Sequence, residues 1–395
     1  MSKQNRELWY LTIFYLITAA AFTELTTSLV MGLAALVLHL LLYRRSKKVL
    51  LLVVSVVLSF LALDYFGGLV IRQQLASRFD LGMDHRIKPE SGKDINSDGV
   101  RCYRESSEFA DDGFNIIFLG DSFTYGLELE RLEDTFVAQT ERILAEKIPG
   151  VDVRTVNFGW VSSSPVLSYR LLQDIGAKYR PDLVIYCLDM TDFHDDLRYT
   201  SGKRFIGASP IAYLVNWMGF IEELAEVRRR LRGATWVALI FGRNEVIPTD
   251  RFFVTSQRLG DSLPYMTTTE EYLLKIRDDA RDKRGAKFAV FCLPRSYQYS
   301  DRECPDNWEA YAYQPLGPYV EEPFAWFAAF ASKTRIPCYS LLTDFKETDV
   351  FPTCFEHDPH WNADGHRVAA EAMVRFLLQQ GLVPHADADD APDGS

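Results

Sequence analysis

The sequence predicts an α/β domain, a parallel sheet covered by helices on both faces, carried behind a helical membrane anchor. Three observations predict it: three almost wholly apolar runs near the N-terminus, five short apolar or β-branched runs further on, and helical patterns alternating with the latter. The apolar runs are 8–22, 25–43 and 49–71, interrupted by Glu24 and by Arg44-Arg45-Ser46-Lys47-Lys48. A bilayer core of about 30 Å needs about 20 residues rising 1.5 Å each, so the second and third runs are long enough and the first is short. Residues 1–72 are therefore expected to form about three spans, with two as the alternative. A cleaved signal peptide would show one apolar run followed by a small-residue cleavage site. Positive residues stay on the cytoplasmic side, so Arg44, Arg45, Lys47 and Lys48 place the second loop inside. With three spans, everything beyond residue 72 is extracytoplasmic, periplasmic or extracellular. Asp64, a turn or two from the outer interface, reads as a snorkelling carboxylate.

A polar connector, 73–113, leads into a domain at 114–382. Its strand-like runs are 115–119, 153–157, 183–188, 287–292 and 337–341. Between the first two, Phe136, Val137, Thr140, Ile143 and Leu144 recur at helical spacing, with Asp134 placed to cap the helix. Strand and helix in alternation imply a parallel sheet buried on both faces. Ligands collect beyond the carboxyl ends of such strands, so the residues after each run are where chemistry is expected. Residues 197–270 read as an insertion; its helical stretch, 211–231, fits a lid, a membrane-surface helix or a helix packed on its own domain. The acidic tail, 383–395, reads as solvated and disordered.

With 395 residues, 48% hydrophobic and 25% charged, the chain can bury a substantial core. Residues 1–72 hold seven Lys or Arg against three Asp or Glu, so the remainder is more acidic than the total of −11 indicates. That balance excludes a nucleic-acid-binding surface as the expectation. Of the six cysteines, Cys187 and Cys292 lie in strand-like runs and read as buried thiols, while Cys304 and Cys354 are the candidate disulfide.

Gly120-Asp121-Ser122 closes the first strand-like run and presents a serine at a strand-to-helix turn, where backbone amides can face a developing oxyanion. Serine needs a base to take its proton. Downstream, Asp358-Pro359-His360-Trp361-Asn362 supplies one: Asp358 and His360 are two apart, so in an extended segment both side chains share a face and the carboxylate can hold the imidazole. Asn362 can cap a following helix through Val368, Ala369, Ala372, Met373 and Phe376, in which His366 is structural. Asp192, His194, Asp195 and Asp196 concentrate metal-ligating groups, but one loop seldom aims all of them inward; no metal and no cofactor is expected. Trp160, Trp217, Trp308, Trp326 and Trp361 fit either a sugar-stacking face or ordinary packing, with packing the default and Trp361, beside His360, the one favoured as a substrate contact.

These residues resemble the SGNH/GDSL hydrolases over roughly 115–380. Gly120-Asp121-Ser122-Phe123-Thr124-Tyr125-Gly126 is similar to the first block of that family, Asn157-Phe158-Gly159-Trp160 to the second, and Asp358-Pro359-His360-Trp361 to the last, in the form seen in alginate O-acetyltransferase-type members. The third block departs: Thr191 stands where the family has asparagine. The resemblance implies a three-layer, flavodoxin-like sheet of SGNH type, with Ser122 as nucleophile, His360 as base and Asp358 as its orienter. It implies oxyanion donors at the amides of Ser122 and Gly159, aided by Thr191, with Asp121 and Asp192 bracing them from behind. The substrate expected is an acylated carbohydrate or another ester, attacked through an acyl-Ser122 intermediate. An O-acetyltransferase, fed by a membrane acyl-donor partner, is the alternative, and a non-catalytic envelope-binding protein is the reading of another class.

Overall fold

The computed structural model describes residues 94–110, 112–206 and 248–384. The expected membrane spans, the start of the connector, residues 207–247 of the insertion and the tail from 385 lie outside the described residues. Among those described, no helix is long and apolar enough to cross a membrane. They fall almost entirely in one compact unit, 82–200 together with 247–395.

Five strands, β1 Phe114–Gly120, β2 Val153–Gly159, β3 Leu183–Leu188, β4 Lys287–Cys292 and β5 Cys338–Ser340, form one sheet in the order β2-β1-β3-β4-β5. Every pairing is parallel. This is the flavodoxin-like order, whose switch point falls between β1 and β3. The helices, in chain order, are α1 Ser122–Tyr125, α2 Phe136–Lys147, α3 Pro165–Ile175, α4 Asp192–Ile206, α5 Phe253–Ser256, α6 Leu259–Arg284, α7 Ser296–Tyr299, α8 Glu322–Thr334, α9 Leu342–Glu347 and α10 Ala363–Gln379.

The strands are runs rather than alternations because both sheet faces are covered. On one face Ile116 and Phe118 of β1, Ile185 of β3 and Phe291 of β4 share a core with Val137 and Leu144 of α2 and Met373 of α10. On the other, α3 lies on β1 and β2, α6 on β3 and β4, and α8 on β5. α2 is capped by Thr135, whose hydroxyl accepts from Ala138 N–H, and not by Asp134 as the pattern suggested. α6 belongs to the sheet's helical cover, so the last part of the predicted insertion is a β3-to-β4 crossover. Its mixed polarity and internal Pro264 hid that role in the sequence.

Candidate active site

β1 ends at Gly120 and the chain turns at once into α1, whose first residue is Ser122. α1 sits directly on the ends of β1 and β2, and two glycines permit it. A Cβ on Gly159 would lie 2.7 Å from Thr124 C, and one on Gly120 would lie 2.9 Å from Thr124 Cβ and 3.0 Å from Cys187 O. Asp121 caps the turn, its Oδ1 accepting from Phe123 N–H at 2.9 Å.

The base arrives on a segment fixed at both ends. Cys354 bridges to Trp361, Phe355 N–H donates to His360 O, and Asn362 caps α10 by accepting from Asp364 and Gly365 N–H. Trp361 is fully buried, stacked on Phe345 with ring centres 4.4 Å apart and edge-on to Phe123 at 5.1 Å. It anchors this segment in the core and is not open to substrate, contrary to expectation.

Ser122 Oγ and His360 Nε2 are 2.8 Å apart, across 238 residues of chain. His360 Nδ1 is hydrogen-bonded to Asp358 Oδ1, which also accepts from the His360 backbone N–H at 2.9 Å. The other carboxylate oxygen accepts from Trp308 Nε1 at 2.8 Å. Burial would raise the Asp358 pKa, but the bonds and charge of His360 with the Trp308 donor hold it down at about 2. Asp358 is thus an acceptor-only group facing three donors.

The loop after β3 is arranged differently from expectation. Thr191 is buried, and both its N–H and its hydroxyl donate to Asp189 Oδ2, at 2.9 and 2.6 Å. The hydroxyl is therefore committed to Asp189 rather than turned toward Ser122. Gly159 N–H likewise donates to Asn157 Oδ1 at 2.9 Å, so of the three expected oxyanion donors two are engaged by protein acceptors. Ser122 N–H, at the first position of α1, has no intrahelical acceptor.

Beneath the nucleophile lies a buried ionic cluster. Arg295 donates to both oxygens of Asp189 at 2.8 Å and to Glu309 at 2.5 Å, and its guanidinium lies 5.1 Å from the Phe123 ring centre. Burial would raise Asp189, but Arg295 holds it at about 2. Asp121, by contrast, is pushed up to about 8 by burial and by the Asp189 charge. Asp192 accepts from Asp189 N–H and from Tyr186 O–H, bracing the β3 loop, and burial keeps its pKa well above the ordinary range.

The carboxylates of the β3 loop do not converge. Asp192 faces Tyr186, Asp195 faces Arg251, and Asp196 accepts from Val166 N–H and the Thr269 hydroxyl. Among the described residues no group of His, Cys, Asp and Glu is placed to hold a metal ion. His366 is buried inside α10, where its Nδ1 accepts from Phe136 N–H at 2.9 Å and so ties α10 to the start of α2. Burial holds its pKa down at about 3. Cys187 and Cys292 are buried, and Cys304 and Cys354, the candidate disulfide, are free thiols whose Sγ atoms lie at 3.4 Å from Ser296 Oγ and 3.7 Å from Pro359 O. A cavity of about 930 Å³ lies between α2 and residues 101–104 and is not lined by Ser122, His360 or Asp358.

Arg295 and Asp189 carry no signal in the sequence beyond their place after strands at the carboxyl edge of the sheet. Trp308, packing by default in the sequence, instead donates to Asp358. No local pattern marks its pairing with a residue 50 positions away.

A hydroxyl, an imidazole and a carboxylate in hydrogen-bonded series at the switch point of a parallel sheet form the arrangement that serine hydrolases use. No family model and no curated protein matches the sequence. Similar solved structures include TesA, at 17% identity over 68% of this chain and 99% of that one, with a TM-score of 0.38. A catalytic mutant of Axe2, an acetylxylan esterase from Geobacillus stearothermophilus, aligns at 14% identity over 68% and 96% of the two chains, also with a TM-score of 0.38.

Proposed function

We propose that the protein is a serine esterase of SGNH/GDSL type, anchored in the membrane by residues 1–72 and acting on O-acyl esters, carbohydrate esters foremost, at the outer face. The observation that carries this reading is the 2.8 Å approach of His360 Nε2 to Ser122 Oγ, with Asp358 on the far side of the same imidazole. With Nδ1–H held by Asp358, Nε2 is the free acceptor, and it takes the Ser122 proton as Oγ attacks the ester carbonyl. The imidazolium, stabilised by the Asp358 charge, then gives that proton to the departing alkoxide. Water repeats the sequence on the acyl-Ser122 ester. If a sugar hydroxyl takes the place of that water, the same site is an O-acetyltransferase.

The test uses the full chain in detergent. A fluorophosphonate should label the wild type at Ser122, and neither Ser122→Ala nor His360→Ala should be labelled. Incubation with an aryl acetate and sugar acceptors separates the two outcomes. Free acetate as main product supports the esterase, whereas acetylated sugar accumulating faster overturns it in favour of the transferase.

A further inference from the structure

Trp308 is 54% exposed, yet the chain on both sides of it is tied down by buried groups. Glu303 accepts from the Thr353 N–H and hydroxyl and from Cys354 N–H, at 2.8, 2.9 and 3.2 Å. Asn307 donates to Cys304 O at 2.7 Å and accepts from Glu309 N–H at 2.8 Å, and Glu309 is held by Arg295. A loop held on both sides therefore carries Trp308 half-open, and the single polar atom of that side chain donates to the triad carboxylate.

We propose that Trp308 is a positioning residue for Asp358, and that a substrate lying over its exposed ring tightens its hold. The inference rests on the ester-cleaving reading above. Both donors of His360 fall on Asp358 Oδ1, so Trp308 is what fixes Oδ2. The last torsion of an aspartate is broad and roughly two-fold, and without a partner on the second oxygen the carboxylate is free to swing. In the open site water competes for the indole–carboxylate bond. A ring laid over the indole excludes that water, and a hydrogen bond to a charge strengthens as the local dielectric falls. The substrate class favoured is an ester whose alcohol part offers a flat C–H or aryl face to an aromatic ring, as a pyranose does.

The experiment compares wild type and Trp308→Phe, full chain in detergent, on an O-acetylated methyl glycoside and on ethyl acetate. Phenylalanine keeps an aromatic face and removes the donor. The expected result is a fall in kcat of about tenfold on the glycoside ester with KM little changed, and a smaller fall on ethyl acetate. Identical kcat and KM in wild type and variant would overturn the inference. Equal losses on both esters would overturn the coupling to substrate. A wild type that neither hydrolyses an ester nor takes a fluorophosphonate at Ser122 would bring down the ester-cleaving reading itself, whereas a labelled wild type matched by Trp308→Phe brings down only the inference.

Discussion

Asp358→Asn is the most informative single change in the triad, because the three donors around this residue decide how an amide would sit. Oδ1 accepts from the backbone N–H and the Nδ1 of His360, and Oδ2 from Trp308. An amide nitrogen at the Oδ1 position would face a backbone donor that cannot move. At the Oδ2 position it faces only Trp308, which is half exposed and can turn to water. Asparagine therefore keeps its oxygen toward His360, so the imidazole retains Nδ1–H and Nε2 remains the base. The negative charge opposite the imidazolium is lost, and so is the Trp308 bond. Replacing a charged hydrogen bond by a neutral one costs about 1–2 kcal/mol, and the displaced donor about 1 more. Acylation should thus slow by about 30- to 140-fold at about 1.4 kcal/mol per decade. The assay is the second-order rate of fluorophosphonate labelling at Ser122, with aryl acetate kcat/KM in parallel. A variant within threefold of wild type would refute Asp358 as the orienting acid. One as dead as Ser122→Ala would refute the amide orientation, since only a reversed tautomer silences the base entirely.

Three further changes test other parts of the structure. His366 stays neutral in the folded chain down to about pH 3, whereas the unfolded chain protonates it below about 6.5. Its contribution to stability is therefore complete above about 6.5 and is lost as pH falls toward 3, by up to about 1.4 kcal/mol per pH unit, so Tm should fall more steeply with acidification in wild type than in His366→Gln. Gly159→Ala puts a methyl against the backbone of α1, and should cost about 1–3 kcal/mol in denaturant unfolding while lowering Ser122 labelling at equal folded fraction. Arg295→Met leaves Asp189 buried without its cation and Glu309 with Arg251 alone, a loss of about 3–5 kcal/mol that calorimetry should read as a Tm lower by about 6 °C or more. Adding Asp189→Asn to that variant should restore part of the loss.

How far the sequence could be read depended on whether each feature is local. β1, β3 and β4 are legible because strands buried on both faces leave unbroken apolar runs, and β5 less so because its three residues are only half-buried. The Asp358 and His360 pair is legible because two residues in an extended segment share a face. Trp361 misled because a tryptophan beside a catalytic base suits a substrate platform and a core anchor equally well, and only the stack on Phe345 decides. Thr191 invited a donor role by position, but its hydroxyl answers to Asp189 two residues earlier, and Asp189 in turn to Arg295. A preference set by a partner 106 residues away leaves no periodic trace.

The oxyanion side of the site sets the rate to be expected. One lost donor typically costs about 2.7–4 kcal/mol, and here the Gly159 amide is held by Asn157 and the Thr191 groups by Asp189. Asn157 cannot simply turn away, because its Nδ2 donates to Thr124 O at 2.7 Å and so clamps α1 to the end of β2. Releasing the Gly159 amide and keeping Ser122 in place are thus opposed demands on one side chain. The Asp189 acceptor is still firmer, since the Arg295 pair keeps it ionised. For the proposed esterase, the base side is assembled and only the Ser122 amide of the three expected oxyanion donors is unengaged, so the leaving group would carry more of the work. Aryl esters, whose weakly basic aryloxide leaving groups need less help in the collapse of the tetrahedral state, should turn over well ahead of alkyl esters lacking a ring to cover Trp308.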